Sequence, residues 1–414
     1  MPLFVTQFFG AFNDNFLKCA ILTMVTFLLA KDPARAGILT NLAMALFILP
    51  FFLFSAAAGM WVDSVDKARC CRIVKLIEVL LMLLAAVTLY CRWVEGLLFL
   101  LFCMGAQSTF FGPAKFALLP QHLSGRELLA GNAFVDGGTF IAILTGSIAG
   151  SLMVILPNGM LWAGATLLVL AIVGCIAAWM IPGAPPAESG IKVSWNLFSG
   201  TYRLIRDGLQ ERSIRTCILS LSIFWMAGAL YISVLPVVCL AVLGGNELVS
   251  TLFLAIFSIG VAAGALGVNT LLRGAVSGRF APLSMFCMAL FTLDLAWCCR
   301  NTADFRELAG PLQLCADPFF WRISGDLFAM SFFGGMFSVP LKALLQKLSP
   351  PAQTARTIAA LNVVNSAFMA AGTLMAAAAH KLWNLPPGAV LAVLALILTG
   401  NAFYCFRLAR SSNS

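Results

Sequence analysis

The chain has 414 residues, 61% of them apolar and only 10% charged, with a formal net charge of +9 and a mean hydropathy of +0.96. A soluble domain carries about 25% charged residues, so this composition excludes one and points to a chain built to sit in lipid. The positive excess is not gathered into a basic stripe interleaved with aromatics, which excludes a nucleic-acid surface and leaves the charge as a topology signal.

A bilayer-spanning helix needs roughly 20 mostly apolar residues. Twelve such segments can be laid down in chain order: 4–30, 36–62, 72–92, 95–119, 128–156 and 159–182, then 214–243, 247–272, 280–299, 320–345, 354–380 and 386–408. The expected fold is an all-α membrane protein, with twelve transmembrane helices in two six-helix bundles, residues 1–182 and 214–414. The first segment starts almost at Met1, carries Asn13, Asp14, Asn15 and Lys18, and is too long for the core of a cleavable signal.

Between the bundles lies the longest polar stretch, 183–213. Gly183, Pro185 and Pro186 open it and cannot continue a helix. From Trp195 to Leu209, apolar Leu197, Phe198, Tyr202, Leu204, Ile205 and Leu209 are interleaved with Arg203, Arg206 and Asp207. That pattern predicts an amphipathic helix lying on the cytoplasmic surface.

Orientation follows from the basic residues. With the N-terminus inside, fifteen fall in inside loops, among them Lys67, Arg69, Lys192, Arg279, Lys347 and Arg407. Seven fall outside: Lys31, Arg35, Arg92, Arg300, Arg306, Arg322 and Lys381. Positive charge favours the cytoplasmic side, so both termini are expected there. The thirteen cysteines form no CxxC; a Cys298 or Cys299 bridge to Cys315 on the outside face stays open. His122 and His380 end helices on opposite sides and cannot share a metal, and no motif calls for a cofactor.

Residues 113–124, PAKFALLPQHLS, find an echo at 340–349, PLKALLQKLS. Each places a lysine, Lys115 or Lys342, two residues after a proline inside an apolar run. Secondary transporters are often built from such repeats. An ammonium at membrane depth is costly unless paired or hydrated, so both lysines are candidate substrate ligands. Lys115 suits a phosphate; its alternative is to snorkel to the cytoplasm.

Asp14 and Lys18 are four apart and share a helix face, with Asn13 and Asn15 placed to complete the hydrogen bonds of Asp14. Asp14 is a candidate to meet an amine or a coupling cation, or else a structural ion-pair partner. Asn132 and Asp136 are four apart on the fifth span, and Asn362 and Asn365 recur on the eleventh. Lys75 and Glu78 read as a membrane-edge pair; Asp294 and Asp326 read as solvated near the outer surface. The second half is nearly free of charge but rich in aromatics: Phe224, Trp225, Phe253, Phe257, Phe332, Phe333 and Phe337. This asymmetry suits a ligand with a polar head, held by the first half, and a long tail lying against the second.

The loop after the second span runs Gly59, Met60, Trp61, Val62, Asp63, Ser64, Val65, Asp66, Lys67, Ala68, Arg69. It resembles the loop signature of the major facilitator superfamily, which makes Gly59, Asp63, Lys67 and Arg69 the expected gating motif. The second half keeps only Gly267 and Arg273 to Arg279, without the aspartate. Three stretches are similar to the bacterial lysophospholipid transporter family: Gln7 to Lys18, Phe111 to Pro120, and Gly131 to Gly146. The resemblance implies a carrier of the bacterial inner membrane, moving lysophospholipid, typically lysophosphatidylethanolamine, from the outer to the inner leaflet. It covers the first half strongly and the second weakly, and is nearest to the transporter region fused to an acyltransferase and an acyl-carrier-protein ligase in some relatives. An acyltransferase as partner follows from that. The acyltransferase itself is not expected in this chain, because neither His122 nor His380 is followed four residues later by aspartate. Standalone relatives carry an arginine after the Phe224–Trp225 pair, and here there is none. A carrier of another solute and a non-transporting scaffold for an acyltransferase are the alternatives.

Overall fold

The computed structural model describes residues 1–29, 33–186, 197–300, 307–383 and 385–411. Helix α1 spans Pro2–Thr23 and continues as a π-helical turn, Met24–Leu29. The first half goes on through α2 (Pro33–Ser64), α3 (Lys67–Tyr90), α4 (Val94–His122), α5 (Leu128–Ile155) and α6 (Gly159–Trp179). After the short α7 (Leu197–Gly208) come α8 (Arg212–Leu243), α9 (Glu247–Leu272), α10 (Ala281–Cys298) and the single turn α11 (Pro311–Leu314). The second half ends with α12 (Pro318–Leu348), α13 (Thr354–Trp383) and α14 (Pro387–Ser411). Eleven of these helices are long and apolar enough to cross a membrane. The twelfth long helix is α1, whose 22 residues are interrupted by Gln7, Asn13, Asp14, Asn15 and Lys18.

The described residues form two compact units. One holds 1–124, 141–208 and 349–363; the other holds 125–140, 209–348 and 364–414. The start of α5 therefore belongs to the unit made mostly of second-half helices, and the start of α13 to the one made mostly of first-half helices.

Within the first unit α1 packs on α6, α2 on α4, and α3 on both α4 and α6. Within the second, α8 packs on α14, α9 on α12, and α10 on both α12 and α14. The same pattern of neighbours twice over is the structural form of the repeat. Lys115 and Lys342 occupy matching places, on α4 after Pro113 and on α12 after Pro340. The core of the first unit is aliphatic and aromatic, with Phe16, Ile21, Met82, Leu97 and Leu167 fully or almost fully buried.

Two points left open by the sequence gain detail. The amphipathic linker helix is α7, and its buried residues Gly200 and Leu204 are covered by protein. It rests on α2, where Thr201 Oγ1 donates to the Phe52 carbonyl at 3.4 Å. Protein offers its apolar face a drier partner than headgroups would. Trp195 lies outside the described residues, as do Lys31, Lys192 and Arg306. The thirteen cysteines are all free, so neither Cys298 nor Cys299 bridges to Cys315.

Candidate functional site

Helices α1, α3 and α4 deliver polar side chains to one network. Lys75 Nζ lies 2.5 Å from Glu78 Oε2, and neither side chain has more than 2% of its surface exposed. Glu78 also accepts from Gln107 Nε2 at 2.9 Å and from Asn13 Nδ2 at 3.4 Å. Lys75 stands over the Phe111 ring, 4.6 Å from its centre. A buried ion pair repays its desolvation only when its spare donors and acceptors are also satisfied, and these neighbours do that. The pair read as lying at a membrane edge is enclosed by protein. Helix α3 already begins at Lys67, so residue 75 lies more than two turns inside it, against α1 and α4.

Ser108 Oγ of α4 donates to Asp14 Oδ2 at 2.7 Å, joining Asp14 to the same cluster. Asp14 is half-buried beside this closed ion pair. The alternative reading, an Asp14–Lys18 ion pair, is not what the side chains form. Lys18 Nζ donates to Asn15 Oδ1 at 2.8 Å and lies 5.4 Å from the Phe47 ring centre. Nor do the flanking asparagines serve Asp14. Asn13 turns to Glu78 and to the Leu167 carbonyl of α6, at 3.3 Å, while Asn15 Nδ2 donates to the Ala11 carbonyl at 2.8 Å. Adjacent residues on a helix point about 100° apart, so they reach different neighbours.

The loop residues separate by role. Asp63 accepts from the backbone N–H of Ala355 at 3.0 Å and of Arg356 at 3.1 Å, and from Arg356 Nε at 3.2 Å. It caps the start of α13 from another helix, where orphan N–H groups and the helix dipole favour an anion. Gly59 permits the approach: a Cβ there would lie 2.8 Å from that of Ala359 and 3.0 Å from Arg356 Cα. Lys67 is buried, and its ammonium has no hydrogen-bond partner among the described residues. Arg69 is exposed; its backbone N–H donates to Asp66, the N-cap of α3, at 2.9 Å. In the second unit the matching turn sets Gly274, at φ +77°, against the Arg126 carbonyl just before α5.

Asp136 and Lys342 find each other. Lys342 Nζ of α12 donates to both carboxylate oxygens of Asp136 on α5 at 2.7 Å, and both side chains are buried. One turn along both helices, Asn132 and Gln346 exchange amide hydrogen bonds of 2.6 and 3.2 Å. One turn the other way on α5, Phe140 stacks on Trp225 of α8, with ring centres 6.1 Å apart. These residues form successive rungs, since i and i+4 share a helix face.

Lys115, half-buried, stands near the rings of Phe116 and Phe111, 5.0 and 5.9 Å from their centres. Toward the other end of the second unit, Arg322 clamps Asp294 through Nη2 at 2.5 Å and Nε at 3.1 Å. Asp326 is not solvated as expected: it is 5% exposed and its Oδ2 has no hydrogen-bond partner among the described residues, because α12 turns it toward α10. Donor atoms of Asp294, Cys298 and Asp326 lie within 4.8 Å of one another.

Sequence reasoning passed over Gln107, Ser108 and Gln346. Each is a neutral polar residue in an apolar span, a signal available but weaker than charge. Of the aromatics assigned to a tail, Phe224, Phe253, Phe257 and Phe337 are packed in the core, whereas Trp225, Phe332 and Phe333 keep some exposed surface.

The sequence profile of the Major Facilitator Superfamily matches residues 3–373. Among curated proteins, the lysophospholipid transporter LplT of Klebsiella pneumoniae subsp. pneumoniae is 27% identical over 358 residues, 84% of this chain and 80% of that one. Its namesake in Yersinia pestis (strain Pestoides F) is 27% identical over 346 residues, 82% of this chain and 76% of that one. The human organic anion transporter MFSD10 superposes with a TM-score of 0.75 at 14% identity, covering 98% of this chain and 99% of that one. The proton:xylose symporter XylE gives 0.73 at 10% identity, covering 99% and 94%. At such identities the structural likeness is one of fold.

Proposed function

Because the chain belongs to the major facilitator superfamily, and is a multi-pass membrane transporter and not an enzyme, we propose that its cargo is lysophospholipid, lysophosphatidylethanolamine above all. Transport runs from the outer to the inner leaflet of a bacterial inner membrane by alternating access, with both termini cytoplasmic. The observation that carries this reading is the match to lysophospholipid transporters over 84% of the chain.

The site chemistry is in keeping with it. Asp14, beside the closed Lys75–Glu78 pair, receives the ammonium of the headgroup. Lys115, with aromatic faces nearby, receives the phosphate; an ionisable group inside a membrane is expensive and tends to be kept for use. Asp136, Lys342 and Asn132 are held by one another and by Gln346, and become available to a headgroup when α5 and α12 part. Asp63 at the start of α13 acts as a latch made in one conformation and broken in another. The test is uptake of labelled lysophosphatidylethanolamine by spheroplasts lacking other routes. Uptake that depends on the protein and fails with Asp14→Asn is the expected result; identical uptake with and without the protein would refute the assignment.

A further inference from the structure

Helices α10 and α14 frame a cavity that the transport reading leaves unused. It is a groove of about 820 Å³, within the range of roughly 300–1,000 Å³ found for small-molecule sites. Leu290, Leu293 and Trp297 rise along one face of α10, and Ala389 and Ala392 of α14 form the facing wall. Leu290, Leu293 and Trp297 are 55%, 51% and 60% exposed, so the groove opens toward lipid and not into the core. At one end the helix backbones touch: a Cβ on Gly388 would lie 2.7 Å from the carbonyl oxygens of Ala296 and Cys299.

Charge gathers at that same end. Arg300 is exposed, its guanidinium carbon 4.1 Å from the centre of the Trp297 ring, which holds it over the mouth. Asp294 of the lining is clamped by Arg322, with Asp326 buried beside it, and Arg300 is the exposed cation at the mouth. An apolar furrow one helix face wide, capped by a cation, complements an amphiphile with one chain and an anionic head.

We propose that this groove docks a one-chain phospholipid, with its acyl chain along Leu290, Leu293, Trp297, Ala389 and Ala392 and its phosphodiester at Arg300. With the termini inside, the groove opens on the outer leaflet, where the substrate must be collected. The proposal rests on the lysophospholipid reading and adds a waiting place outside the transport path.

The test uses the purified full chain in nanodiscs with lysophosphatidylethanolamine carrying a diazirine in its acyl chain. Photolabel is expected on peptides containing residues 290–297 and 389–392. Excess unlabelled lysophosphatidylethanolamine removes it; glycerophosphoethanolamine and two-chain phosphatidylethanolamine do not. Arg300→Ala, at an exposed position that spares the fold, lowers labelling about two- to fivefold, the worth of an exposed ion pair. Ala392→Trp fills the furrow and abolishes labelling. Equal competition by the two-chain lipid, or unchanged labelling in Arg300→Ala, would overturn the proposal. Uptake measured in parallel separates the readings: uptake without groove labelling removes the dock alone, whereas groove labelling without uptake removes the transport reading and keeps the dock.

Discussion

Lys115 and Lys342 descend from one repeated segment, each two residues after a helical proline, yet they live differently. Lys342 is buried and takes both carboxylate oxygens of Asp136. Lys115 is half-buried beside Phe111 and Phe116. Where α5 supplies Asn132 and Asp136, its counterpart α13 carries Asn362 and Asn365. Both segments keep a lysine at a matching place on a matching helix, in different surroundings. Lys342, locked to Asp136, ties α5 to α12 until the two helices part, whereas half-buried Lys115 beside two aromatic rings suits a ligand's phosphate.

The comparison breaks most visibly under substitution. Asp14→Asn and Lys115→Ala should each abolish lysolipid uptake while leaving the protein at normal level in the membrane. Lys342→Ala should instead show up as lost stability. Removing one partner of a buried pair leaves the other charge uncompensated, at a cost of about 3–5 kcal/mol. Thermal unfolding in detergent measures this, and the double substitution Asp136→Leu with Lys342→Met should recover most of the loss. If Lys342→Ala unfolds normally and only Lys115→Ala is unstable, the two lysines have been assigned the wrong way round.

Much of this architecture was legible in the sequence, for a physical reason. A bilayer demands long apolar helices, so runs of Leu, Ala, Val and Phe reveal the spans without any knowledge of packing. The Pro-x-Lys echo likewise revealed the internal duplication. What stayed hidden was partnership across distance. Asp63 meets residues 292 and 293 positions away, and Lys342 finds Asp136 at a separation of 206. Local spacing misled where a distant helix made a better offer: Asp14 and Lys18 share a face, but Ser108 took the first and Asn15 the second. Lys75 and Glu78 were recognisable as a pair, but nothing in their neighbourhood told that α1 and α4 would close over them.

A smaller effect is expected at the loop. Asp63→Ala removes the cap on α13, worth about 0.5–2 kcal/mol. That is enough to shift a two-state balance several-fold but not to unfold the chain. The matching turn in the second unit keeps a glycine, Gly274, but not the aspartate of the loop motif, so substituting Arg273 or Arg279 should have the smaller effect. Labelling of cysteines introduced near residues 63 and 356 should rise in Asp63→Ala. Unchanged labelling with normal uptake would show that the cap is structural only.

The smallest increments concern the cargo's tail, and they separate the polar first half from the aromatic second half. If the headgroup is held around Asp14 and Lys115 while the tail lies against Trp225, Phe332 and Phe333, each added methylene buries further apolar surface. Such burial contributes roughly 0.8 kcal/mol per methylene, about fourfold in affinity. Competition against labelled lysophosphatidylethanolamine should then strengthen stepwise with acyl length, and level off once the chain outgrows the surface available. Glycerophosphoethanolamine has the same headgroup and no tail, and should compete poorly. Substituting Trp225 or Phe333 by alanine should flatten the dependence on length without altering competition by the tailless compound, because that compound touches only the first half. Equal competition by the tailless compound would mean that the polar half alone binds, making the chain a carrier of small polar solutes whose second-half aromatics serve packing.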